Sequence, residues 1–281
     1  MLAIPTWNRF YWRYSNWGTP DVTPGVSVVP GASNAEGAWT AMASAANIAQ
    51  DVYGFLVVVT SGFVSANQKD HLLDIGVDPA GGTAYTAIIN NIVCGQSAGI
   101  GSGKTFYFPM FIKAGSSVAA RVQGSNATAG TVRIAMVFYG QPSNPEQILV
   151  GQYSETIGTI TGSAGVAFTP GTGAEGSWAS LGTTTRPLWW FQLGVQVSNG
   201  TIAAHYVQVD LAYGDGTNMV MIIEDLFLFY AGTTEDQRQG TYQALLEGFC
   251  DVPAGATLYV RGWSDVAPPT GYNAVACGIG G

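Results

Sequence analysis

The chain has 281 residues, of which 47% are hydrophobic and only 10% are Asp, Glu, Lys or Arg, against roughly 25% charged in an average soluble protein. A net charge of −8, with basic residues scattered along the chain, disfavours nucleic acid, which is bound through clustered Lys and Arg. No segment is long and apolar enough to span a bilayer as a helix, and 38 glycines with 13 prolines suit short strands better than long helices.

Residues 1–24 form an aromatic arm. Trp7, Phe10, Tyr11, Trp12, Tyr14 and Trp17 crowd into eleven residues, with Arg9 and Arg13 among them. Trp, Tyr and Arg dominate interface energetics, so these eight residues are expected to dock on another chain; packing on the adjacent domain is the alternative. The N-terminus lacks the basic and apolar regions of a signal peptide, so synthesis in a cytoplasm without export is expected.

From residue 25 onward the chain repeats itself. Gly25, Val26, Pro30, Gly31, Ala35, Glu36, Gly37 and Trp39 reappear, one deletion apart, as Gly165, Val166, Pro170, Gly171, Ala174, Glu175, Gly176 and Trp178. His71–Thr83 aligns without a gap on His205–Thr217, and the alignment runs on to Ile88–Ile92 and Ile222–Leu226. Ala114, Gly115, Val118 and Arg121 match Ala254, Gly255, Leu258 and Arg261, and Ile134–Met136 is set against Val275–Cys277. Blocks recurring in one order indicate a duplication, with copies at 25–140 and 165–281 and a polar linker at 141–164.

Within each copy the period is two. His71, Leu73, Ile75 and Val77 share a strand face, as do His205, Val207, Val209 and Leu211. Trp39–Ala49 is a candidate short helix, although its Gly/Thr-rich counterpart reads as loop. About eight short strands in each copy predict an all-β fold, two tandem jelly-roll-like β-sandwich domains, with another Greek-key sandwich equally compatible.

The motifs that could carry chemistry do not form constellations. Ala98–Thr105 satisfies a relaxed phosphate-loop pattern, but a phosphate loop needs a helix after it, and Phe106–Ile112 is aromatic, β-prone and interrupted by Pro109. His71 and His205 are the only histidines. In the gapless alignment the acids near them are not repeated, Asp74 facing Gln208 and Asp78 facing Ala212. Strand-end histidines satisfied by backbone are therefore expected rather than metal ligands or general bases. Glu36, Glu175, Arg121 and Arg261 are the remaining repeated charges, for which a structural ion pair or a capping role is expected rather than chemistry. An ion pair of each glutamate with the arginine of its own copy is one such arrangement, because a buried charge needs a partner. The three cysteines, Cys94, Cys250 and Cys277, have neither metal-ligand nor disulfide spacing and read as buried thiols. The sequons at Asn126 and Asn199 read as turns. No cofactor, no metal and no enzymatic activity are expected.

Leu72–Val77, Ile88–Ile92 and Phe111–Arg121 resemble strand–turn phrases of tailed-bacteriophage virion structural proteins. In the second copy the likeness survives at Val252–Gly255 and Arg261, while Lys113 stands where that family usually has proline. The resemblance implies a virion component made in the host cytoplasm, either a capsid decoration (cement) protein or a tail- or neck-associated accessory. Its partners would be other virion proteins and further copies of itself. A double jelly-roll capsid protein is a variant of that reading; a glycan-binding host-recognition module is the alternative from another class.

Overall fold

The computed structural model describes residues 25–60, 71–94, 104–124, 131–140, 150–158, 165–197, 205–230, 248–267 and 272–281. The aromatic arm, the glycines of the phosphate-loop pattern and both sequons lie outside them. Every named element among the described residues is a strand. The first eight are β1 (Val26–Val28), β2 (Thr40–Ala43), β3 (Gly54–Thr60), β4 (His71–Asp78), β5 (Thr86–Val93), β6 (Lys104–Phe108), β7 (Ser117–Gly124) and β8 (Val132–Tyr139). Two sheets, ordered β1-β8-β3-β6 and β2-β7-β4-β5, face each other. Eight strands divided four and four between two sheets in this order make a jelly roll rather than another Greek-key sandwich. Period-two alternation fills the space between the sheets with Val57, Val59, Leu73, Ile75, Val118, Ala120, Val122, Ile134 and Met136.

The same order returns in β10 (Val166–Phe168), β12 (Ala179–Thr183), β13 (Leu188–Val197), β14 (His205–Gly214), β15 (Met219–Tyr230), β16 (Gly248–Val252), β17 (Thr257–Ser264) and β18 (Tyr272–Gly280). Their sheets run β10-β18-β13-β16 and, with β12 also paired to β17, β17-β14-β15. Two short strands have no counterpart among the described residues of the first sandwich: β9 (Tyr153–Ile157) on β18 and β11 (Gly171–Thr172) on β17. The stretch read as a linker therefore supplies a strand. Trp39–Ala49 is not a helix either, since Thr40–Ala43 pairs with β7. The turn after it is held by Ser44 and Asn47, whose side chains bond each other at 2.6 Å; such residues draw backbone into turns and away from helix.

The sandwiches are joined by a largely apolar contact. Residues of β18 are buried on both faces. Tyr272, Ala274 and Ala276 point into their own core, whereas Cys277 and Ile279, with Trp190 of β13, belong to the core of the first sandwich. Trp190 meets Phe108 edge-on at 5.9 Å, and Val275 closes a cluster with Leu72 and Val93. Gly194 has to be glycine here, because a Cβ would lie 2.8 Å from Val93. At the rim Ser154 and Thr156 donate through their hydroxyls to the carbonyls of Ile88 and Asn90, both at 2.5 Å. These bonds cap the open edge of β5, where unpaired backbone groups would otherwise invite pairing.

Candidate functional site

Each sandwich carries a clasp of four side chains on the outward face of its β7 or β17 sheet. In the first, Arg121 sits on β7 directly opposite Asp74 on β4. Its Nε donates to Asp74 Oδ2 at 2.9 Å and Nη1 reaches Glu36 Oε2 at 2.5 Å. Its guanidinium carbon lies 4.4 Å from the centre of the Trp39 ring. In the second, Arg261 on β17 faces Asp210 on β14, with Nε to Oδ2 at 2.9 Å; Nη2 pairs with Glu175, and the guanidinium lies 4.3 Å from the Trp178 ring.

Beside each aspartate the partner strand bulges. Leu73 pairs with Ile92 and Ile75 with Ile89, so Asn90 and Asn91 share the place opposite Asp74. Val209 pairs with Leu226 and Leu211 with Ile223, so Glu224 and Asp225 do the same opposite Asp210. The second bulge residue is left-handed in both, φ 56° at Asn91 and 53° at Asp225. Asn and Asp tolerate that conformation better than other L-residues. The N–H freed by the bulge donates to the aspartate's other oxygen, at 2.8 Å from Asn91 to Asp74 and at 2.8 Å from Asp225 to Asp210. Each aspartate thus ties the arginine strand and the bulged strand to its own.

Both aspartate side chains are 4% exposed, while Glu36 and Glu175 are 37% and 39% exposed. Burial raises the Glu36 and Glu175 carboxyls above their ordinary value; the adjacent Asp74 or Asp210 charge adds to the rise and the arginine opposes it. Each arginine is held by two carboxylates and stacked on an indole, which leaves it poorly placed to take up an anion. Glu175, Asp210 and Asp225 bring one ligand oxygen each within 4.8 Å of one another, but Arg261 already answers two of the three. The first sandwich has Asn91 where the third acid would be.

The clasps brought Glu36 to Arg121 and Glu175 to Arg261, as their recurrence had suggested. The same register corrects the alignment of the histidines. Counting from the paired arginines, Asp74 corresponds to Asp210, not to Gln208, and His71 corresponds to Val207. One of the two acids is therefore repeated, Asp74 as Asp210, while Asp78 falls opposite Gly214, and the histidines are two residues out of step. His71 and His205 are both buried. His205 meets the Tyr272 hydroxyl through Nε2. The segment after the glycine loop is strand β6, where a phosphate loop would need helix. Cys94 and Cys277 are buried and Cys250 half-buried, all three as free thiols; burial pushes Cys277 up to about 12. Trp7, Arg9, Phe10, Tyr11, Trp12, Arg13, Tyr14 and Trp17, the residues expected to dock on another chain, lie outside the described residues.

No protein-family model matches the chain, and no curated protein matches it. Among solved structures it is similar to PNGF-II, at 9% identity over 97% of this chain and a TM-score of 0.38. The chain spans 65% of the length of that protein. It is also similar to the N-terminal CBM22-1–CBM22-2 tandem domain of Paenibacillus barcinonensis Xyn10C, at 12% identity over 83% of this chain and 82% of that one, TM-score 0.27. The third is Broad Bean Stain Virus, at 11% identity over 93% of each chain, TM-score 0.32. None of these likenesses bears on chemistry.

Proposed function

We propose that the chain is a structural component of a bacteriophage virion, a capsid decoration protein or a tail- or neck-associated accessory, and not an enzyme. The observation that carries this reading is how the repeated charges are used. Glu36, Asp74 and Arg121, and again Glu175, Asp210 and Arg261, are engaged with one another across neighbouring strands. The most chemically capable side chains the two copies share act as rivets of a sheet. The strand–turn phrases that resemble phage virion proteins point the same way. On this reading the protein is made in the host cytoplasm and joins the particle through other virion proteins, with Trp7, Arg9, Phe10, Tyr11, Trp12, Arg13, Tyr14 and Trp17 as the docking arm.

Particles purified from an infected host, analysed by quantitative mass spectrometry, test it. The chain should co-purify at a fixed number of copies per major capsid protein. Recovery only in the soluble lysate would overturn the proposal. A glycan-binding module is the second reading, and the observation in its favour is the exposed aromatic pair Tyr206 and Phe227, whose ring centres lie 5.2 Å apart. Glycan-array binding lost in Phe227→Asp would select it.

A further inference from the structure

In the second sandwich one edge of β18 lies against β13 and the other is shared by two short strands. β10 takes that edge at Tyr272, Asn273 and Ala274. β9 takes it further along, with Ile157 opposite Ala276 and Tyr153 opposite Gly280. β8 is the counterpart of β18, since Val26 pairs with Ile134 as Val166 pairs with Ala274. β1 takes the corresponding edge of β8 at Val132, Arg133 and Ile134. Beyond Ile134 no further strand among the described residues runs along that edge. An edge left open is a template for whatever extended chain can reach it.

The chain before β1 has the length and the punctuation to reach it. Gly158 and Thr159, directly after β9, stand eight and seven residues before Val166; Gly18 and Thr19 stand eight and seven before Val26. Both eight-residue connections end on a left-handed glycine with the same neighbour. Gly25 has φ 95° and a Cβ there would lie 2.6 Å from the Ile134 carbonyl oxygen; Gly165 has φ 101° and a Cβ would lie 2.6 Å from that of Ala274. The duplication therefore extends back past residue 25, and by spacing Arg13 to Trp17 correspond to Tyr153 to Ile157.

We propose that the occupant of the open β8 edge is the chain's own residues 13–17, added antiparallel to β8 along residues 136–140 as a further strand of the β1-β8-β3-β6 sheet. The register of β9 sets Trp17 opposite Met136 and Arg13 opposite Gly140. Ile157 points into the core of its sandwich while Ser154 and Thr156 point out to β5; on the same alternation Trp17 enters the first core and Asn16 faces outward beside Val137. The flanking side chains differ between the copies, Met136 standing for Ala276, but a strand is held on an edge through its backbone. Arg13, Tyr14 and Trp17 thereby leave the docking arm, which keeps Trp7, Arg9, Phe10, Tyr11 and Trp12 and departs from the Gly140 end of β8. The inference holds whether or not the chain belongs to a virion.

Paired cysteines in the full chain test it. Asn16→Cys with Val137→Cys sets two thiols opposite each other on the outward face, in a Cys250→Ser background that removes the half-buried native thiol. Oxidised glutathione should close them into a disulfide within one chain, read by mass spectrometry as a linked pair of proteolytic peptides. Asn16→Cys with Phe227→Cys, whose second position is exposed on the other sandwich, should stay open. Deleting residues 1–20 should speed hydrogen exchange of the backbone at 136–140 at least tenfold and leave 276–280, which β9 covers, unchanged. A disulfide that joins two chains would overturn the proposal, because the arm would then complete a neighbour's sheet. A disulfide formed equally well with position 227 would overturn it too, as would exchange at 136–140 that the deletion leaves unaltered.

Discussion

A guanidinium held between two carboxylates need not depend on both of them equally. At the Asp74 end the carboxylate is 4% exposed and takes hydrogen bonds from Arg121 Nε and the Asn91 N–H. Removing one partner of a buried pair leaves the other charge uncompensated, at a cost of about 3 kcal/mol or more. At the Glu36 end the carboxylate is 37% exposed and water can replace what is lost, so the pair is worth below about 1 kcal/mol. Asp74→Ala should therefore lower the urea midpoint several times more than Glu36→Ala, and Asp210→Ala more than Glu175→Ala; equal effects would show that the two ends share the load. The glutamates add a pH signature. Their folded carboxyls lie above the ordinary value of 4.5, so their contribution to stability is complete below 4.5 and declines as pH rises through the raised value. The thermal midpoint of the unaltered protein minus that of Glu36→Gln should shrink from pH 4 towards pH 7. Asp215 behaves oppositely: the Asn218 side chain, followed by backbone N–H groups, holds its carboxyl down at about 2. Its contribution is present above the ordinary 3.8 and is lost as pH falls towards 2, so the difference for Asp215→Asn should grow with pH over that window.

At the scale of elements, the paired bulges explain which parts of the site could be read from the sequence. Glu36, Arg121 and their second copies were legible because they lie in blocks that keep their spacing. The aspartates were not. The β4–β5 hairpin is two residues longer than the β14–β15 hairpin, and a gapless alignment absorbs that difference as a shift of two. A two-residue slip leaves every side chain on its proper face, so the alternation of Leu73, Ile75 and Val77 gave no warning while Asp74 was set against Gln208. The last strand carried a one-residue slip: Val26 pairs with Ile134 and Val166 with Ala274, so Ile134–Met136 corresponds to Ala274–Ala276. That slip does exchange the faces, and the inward alternation of Ala274 and Ala276 could have exposed it. The dipeptides Asn90-Asn91 and Glu224-Asp225 were the available signal for the bulges, since an Asn or Asp inside a strand marks a place where the backbone can turn left-handed. The conformation can be tested directly. Asn91→Gly should stay within about 1 kcal/mol of the unaltered protein, because glycine takes a φ of 56° freely. Asn91→Val should lose about 1–2 kcal/mol to left-handed strain. Chemical denaturation at one pH separates them, and equal losses would mean that the Asn91 side chain, not its backbone, matters.

For the whole molecule the sequence indicated tandem domains and a linker, yet the domains are fused through a shared core. One clue was present. Ala274–Cys277 is apolar without alternation, and a strand apolar on both faces is buried on both. The contact residues themselves gave none, because Trp190 or Val93 is one apolar residue among many until the partner surface is known. The consequence is a prediction about cooperativity. Trp190, Cys277 and Ile279 belong to the core of the other sandwich, so unfolding either unit strips apolar cover from both. Fully burying one large side chain contributes about 1.5–3 kcal/mol, so a contact made by Trp190, Val275 and Ile279 is a substantial fraction of the ~5–15 kcal/mol by which a domain is stable. Differential scanning calorimetry should show one transition whose calorimetric and van't Hoff enthalpies agree. Gly194→Leu is the substitution to break the coupling. Even a Cβ at that site would lie 2.8 Å from Val93, and a leucine must push the sandwiches apart while leaving Leu193 and Val195 in their own core. That variant should unfold in two resolved steps, and its lower transition should coincide with the loss of near-ultraviolet signal from Trp190. Two transitions already in the unaltered protein, or a van't Hoff enthalpy well below the calorimetric one, would mean that the sandwiches are not energetically coupled.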